Sequence, residues 1–91
     1  MAEEYYKEPS HDEIVMAFVA SCIEDVANRL ELPYIKVFER MEKIGLIDRY
    51  IYPCYETLHT ESRENLTTSL IDTLNRWENN EIRKQFYIAG K

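Results

Sequence analysis

The chain has 91 residues, 45% apolar and 31% charged, with a net charge of −6. That length holds a single core, and the apolar share is that of a folded globular domain rather than a disordered chain. The acidic balance argues against nucleic acid as the main partner, because binding to phosphates draws its affinity from cationic surface.

No run approaches the ~18 apolar residues that cross a bilayer, so no membrane partner is expected. The opening Met1-Ala2-Glu3-Glu4-Tyr5-Tyr6 lacks the basic-then-apolar pattern of a secretory signal. Cys22 and Cys54 have neither metal-site spacing nor the density of a disulfide scaffold. A cytoplasmic protein with two free thiols is expected.

Residues 1–9 are polar, acidic and end in Pro9, as a loose leader would. Ser10 opens a helix, because Ser10 and Glu13 have the spacing of a capping box. Ile14, Phe18, Cys22, Val26 and Leu30 recur every four residues, with Val15, Val19 and Ile23 beside them. This wide apolar stripe suits a central helix. Glu24, Asp25, Asn28 and Arg29 are expected to face outward.

Leu32-Pro33 breaks the pattern, and proline fits a first helical turn. A second helix is expected from Pro33 to Ile44, with Val37, Phe38, Met41 and Ile44 inward and Lys36, Glu39, Arg40, Glu42 and Lys43 in water. Gly45 stops it with a left-handed residue covered by Leu46. Leu46–Tyr52 reads as one or two helical turns; strand competes, since the segment is rich in Ile and Tyr, but no second strand exists to pair with it. Residues 54–60 form a link with one turn around Tyr55–Leu58, and Thr60 or Ser62 caps the last helix. Leu66, Leu70, Ile71, Leu74 and Trp77 give that helix its stripe, and Asn79-Asn80 ends or weakens it.

The expected fold is therefore all-α, a small bundle of three to four helices with an irregular link before the last long helix. It divides into a leader at 1–9, a helical domain at 10–78 and a polar, aromatic tail at 79–91. Charge is uneven along it. Residues 1–75 carry seven basic and fifteen acidic groups, net −8, whereas residues 76–91 carry four basic and two acidic, net +2. That tail is either a solvated end or a docking arm, since Phe86-Tyr87-Ile88 is apolar.

The residues offer little for catalysis. His59 has Thr60, Ser62 and Cys54 near it in sequence, but nucleophile and base are matched in space rather than along the chain. His11, Cys22, Cys54 and His59 lack close paired metal spacing, and two glycines build no phosphate-cradling loop. No catalytic residue, metal or cofactor is expected. The glycine turn between two short helices permits a helix-turn-helix reading, yet its second helix offers base edges Arg49 alone beside Asp48. The distinctive feature is Tyr50, Tyr52 and Tyr55 crowded into six positions. Tyrosine is favoured at interfaces for its large area and polar tip. Tyr55 is expected to lid the core with its hydroxyl on a backbone group, and at least one of Tyr50 and Tyr52 to be exposed. Asp48, Tyr50, Tyr52, Tyr55, His59 and Thr60 are the candidate binding residues.

The run Phe18 to Ala27, then Val37-Phe38, Gly45-Leu46-Ile47-Asp48-Arg49-Tyr50-Ile51 and Tyr55-Glu56-Thr57-Leu58-His59-Thr60 resembles an uncharacterised family of small bacterial proteins, a domain of unknown function common in gut anaerobes. The resemblance covers about residues 14–77. Its members look like short helical proteins, often encoded beside a protein with an ADP-ribosyltransferase-like look. That setting implies an antitoxin or accessory partner of such a toxin. The resemblance brings no catalytic residues with it, and the tail from Asn79 lies outside its pattern. The expected function is a non-catalytic protein–protein interaction module, with a toxin encoded nearby or a second copy as partner. A helix-turn-helix-like DNA-binding regulator is the alternative.

Overall fold

A computed structural model describes residues 9–89 of the chain, with side chains as far as Lys84. Helix α1 spans His11–Leu30, α2 Tyr34–Lys43, α3 Tyr55–Leu58 and α4 Arg63–Ala89, with one π-helical turn at Ile47–Ile51 between α2 and α3. No strand occurs among the described residues, and the all-α bundle is as expected.

Helix α1 starts where its capping box places it. The Glu13 backbone N–H donates to Ser10 Oγ at 3.2 Å, and the Ser10 N–H donates back to the Glu13 carboxylate at 3.4 Å. Its end is less ordinary. Glu31 takes a left-handed conformation, φ +56°, and its N–H reaches the carbonyls of Ala27 and Asn28. Leu32 then donates to Ala27 O at 3.0 Å, closing the turn before Pro33. Pro33 proves to be the N-cap of α2 rather than its first helical residue. Gly45 has φ +74°, the conformation expected of it.

The packing is antiparallel, as short links require. Arg63, at the start of α4, grips Asp25 near the end of α1 through two 2.9 Å bonds. Arg29 bonds Thr68 Oγ1 at 2.8 Å. The core runs along this seam: Val15, Val19, Cys22, Ile23 and Val26 from α1, Val37 and Met41 from α2, Leu66, Leu70 and Leu74 from α4. Leu46, Ile51 and Leu58 close it from the linking segment.

Four details depart from the sequence reading. Ile14 sits at the margin of its stripe and is 42% exposed, because the buried face of α1 centres on Val15 and Val19. Asp25 and Arg40, expected in water, are half-buried. Both are turned to α4, where Arg63 and Glu78 neutralise them bidentately. Last, α4 continues through Asn79-Asn80 to Ala89. Asparagine costs a helix only about 0.5 kcal/mol, and no glycine or proline lies between Arg63 and Ala89 to break it. The expected leader falls, for residues 1–8, outside the described residues, as do the side chains of Phe86, Tyr87 and Ile88.

Candidate functional site

The π-turn decides where the predicted tyrosines go. Tyr52 N–H donates to Ile47 O five residues back, at 2.9 Å. The wider ring admits one more residue per turn than an α-helix would. Ile51 enters the core, while Tyr50 and Tyr52 leave on different sides, both half-buried. Tyr50 meets Trp77 of α4, with ring centroids 6.1 Å apart. Tyr52 reaches α1, where its hydroxyl donates to Asp12 Oδ1 at 2.6 Å. That bond to a carboxylate pushes the Tyr52 hydroxyl above its usual titration range.

Tyr52, Tyr55 and His59 belong together, at the α1 side of the link. Tyr55 stacks on His59 with centroids 4.6 Å apart and a 13° interplanar angle, and meets Phe18 edge-on at 5.2 Å. His11, from the exposed first turn of α1, adds a further edge at 5.9 Å. Tyr55 is thus the expected lid, held by ring contacts rather than by the expected hydroxyl bond to backbone. His59 Nε2 lies 3.9 Å from the Glu56 carboxylate. Thr60 turns inward on its own segment: its hydroxyl donates to Thr57 O at 2.8 Å, closing α3. The cluster clasps the link to α1.

Asp48 and Tyr50 lie apart from that clasp. Asp48 is exposed at the rim of a notch with Met16, Phe38 and Glu42. Tyr50 belongs to a second surface, which the sequence reading missed. There Arg49 lies over the Trp77 ring, 5.1 Å from its centroid. Beside the pair opens a cleft of about 430 Å³, bounded by Ile44, Asn80, Glu81, Arg83 and Lys84. Three cations against one carboxylate make this a locally basic hollow on an acidic protein. Ile82, five residues beyond Trp77 and 62% exposed, lines a neighbouring hollow with Arg40, Lys43 and Ile44. The lone tryptophan next to the basic tail was the available signal; its place in a core stripe concealed it.

The remaining thiol and imidazole chemistry stays scattered. Cys22 is buried, and that burial pushes its thiol up to about 12, with the Asp25 carboxylate adding to the effect. Cys54 is half-buried. Among the described residues no group of three His, Cys, Asp or Glu side chains is placed to hold a metal ion.

Compared with known proteins, residues 17–77 match the model of a family described as protein of unknown function (DUF3791). No curated protein and no solved structure matches the chain. The match takes in most of α1, all of α2, the π-turn, α3 and α4 as far as Trp77, and the chain belongs to this family.

Proposed function

We propose, with membership of that family as the premise, that the protein is a non-catalytic interaction module that holds a protein partner at the Trp77 cleft and the adjoining face of α4. The exposure of Ile82, on a helix that runs on past the cleft, carries this reading. Ile82 lines a neighbouring hollow that shares Ile44 and Glu81 with the Trp77 cleft, and an aliphatic side chain left in water next to a surface bearing an aromatic–arginine pair has the composition of an interface. Arg49, Arg83 and Lys84 supply a charged rim that steers an acidic partner.

The resemblance of Gly45–Ile51 and Tyr55–Thr60 to bacterial relatives encoded beside ADP-ribosyltransferase-like proteins supports a specific partner. In this reading the protein serves a bacterial cytoplasm as antitoxin or accessory partner of such a toxin. Co-expression with the neighbouring gene product tests it. A co-purifying complex that Trp77→Ala and Ile82→Asp each weaken is expected, and failure of the parent protein to co-elute ends the toxin version.

The helix-turn-helix alternative has the left-handed Gly45 in its favour. Against it stand a second element of only five residues and an Arg49 already engaged with Trp77. A recognition helix presents several polar side chains to base edges. A salt-dependent mobility shift on the upstream DNA would revive this reading.

A further inference from the structure

We infer that the protein associates with itself head to tail, α4 of one copy seating Ile82 in the Met16–Phe38 notch of the next. The two surfaces lie on opposite sides of α2. Phe38 and Glu42, one turn apart, line the notch, whereas Arg40 and Ile44 line the hollow around Ile82. Two residues along an α-helix turn the side chain through about 200°, so the end of α2 stands between notch and hollow. Ile82 also lies within the continuous helix Arg63–Ala89 and cannot bend round to the notch of its own chain. A second copy brings its Ile82 there with no such bend.

Each surface offers what the other lacks. The notch, of about 210 Å³, is walled by Met16, Phe38 and Ile47 and rimmed by Glu42 and Asp48, a charge of −2. Met16 is 54% exposed, and its unbranched thioether adapts to an incoming side chain. Opposite stands Ile82, 62% exposed, with Arg83 and Lys84 following it and Lys43 across its hollow. Glu81 sets these three cations at +2, since Glu78 is neutralised by Arg40. Ile82 therefore meets an apolar wall while guanidinium and ammonium groups meet the two carboxylates. Because different patches of each copy join, and on opposite sides of it, the contact extends a chain of copies rather than closing a dimer. Ile82 belongs also to the partner surface proposed above, so self-association and that partner compete for it. The notch takes no part in that reading.

Sedimentation equilibrium of the purified full chain tests the proposal. At low salt the mass should rise with concentration past that of a dimer, and in high salt it should fall toward the monomer. A notch variant, Glu42→Lys with Asp48→Lys, should weaken association about tenfold, and Ile82→Asp should abolish it. All three positions are exposed, so the bundle itself is kept. Mixing the two variants joins one intact Ile82 to one intact notch, and should give a one-to-one dimer that grows no further. A parent protein that stays monomeric at millimolar concentration overturns the proposal. So does one that stops at a dimer, or association that either variant leaves unchanged, or a mixture that does not pair. The notch variant should still co-purify with a neighbouring gene product, so the two ideas fail separately.

Discussion

At Tyr52 a single hydroxyl links the π-turn to the first turn of α1, and it gives the fold an alkaline limit. The Asp12 bond favours the protonated phenol, so the titration of Tyr52 is raised in the folded chain. The stability it contributes is complete below the unfolded tyrosine range, near 10, and is lost as pH rises through the raised folded value. Tyr52→Phe is expected to remove that part of the alkaline stability loss, read by denaturant midpoints across the alkaline range. Cys22 makes a parallel case for reactivity. Its thiol, pushed up to about 12 by burial, stays protonated at neutral pH, and the thiolate is the reactive species. In the native protein a thiol reagent should therefore modify Cys54 first and Cys22 only at the rate of unfolding. Two equally fast thiols would contradict the burial. Gly45 is the third such residue. With φ at +74°, a side chain there costs about 1–2 kcal/mol, and an added Cβ would lie 3.1 Å from Arg49 Cδ. Gly45→Ala should lower stability by that amount and displace Arg49 from Trp77, which tryptophan emission would register.

At the scale of elements, α4 is the longest described helix; it lies along α1 and is tied to α2 through Arg40 and Glu78. Leu70 is fully buried near the middle of its apolar stripe. Leu70→Ala should cost about 2–5 kcal/mol in chemical denaturation, the range for a buried leucine whose cavity collapses only in part. The stripe itself was legible because Leu66, Leu70 and Leu74 repeat at helical spacing with no breaker between them. So were the capping box at Ser10 and the stop at Gly45, since both act through neighbours a few residues away. The cap of α4 was narrowed to two residues, and the structure selects Ser62, whose Oγ accepts from the Asn65 N–H at 3.2 Å. The end of α4 was misjudged because asparagine disfavours a helix by less than an intact hydrogen-bonded run sustains it. The π-turn had no signature of its own: periodicity separates helix from strand, but a one-residue widening depends on what Leu46 and Ile51 must pack against.

Across the whole molecule, two carboxylate–guanidinium clamps fasten α4 at separate places. Asp25–Arg63 holds it to α1, and Arg40–Glu78, at 2.7 and 2.9 Å, holds it to α2. Arg63 and Glu78 are fifteen residues apart on the helix, about 22 Å. Their effects should therefore add. Asp25→Ala and Glu78→Ala are expected to lower the denaturation midpoint independently, with the double variant showing the sum. Departure from additivity would mean that α4 shifts as one rod when either end is freed.

Composition and spacing by themselves settled that this chain is an all-α bundle, where α1 begins, and which residues form the apolar stripe of α4, because those outcomes depend on local hydrogen bonding and on apolar residues repeating at the helical period. Only the tertiary structure decided how the six candidate residues group. It gathers Tyr52, Tyr55 and His59 into a clasp against α1, leaves Thr60 closing its own turn on Thr57, sends Tyr50 to Trp77, and leaves Asp48 in a separate notch. It also turns Asp25 and Arg40 from water toward α4 and builds a basic hollow on an acidic protein. These are meetings between residues some 25 to 40 positions apart. They are set by helix register and by one π-turn, which no short stretch of sequence encodes.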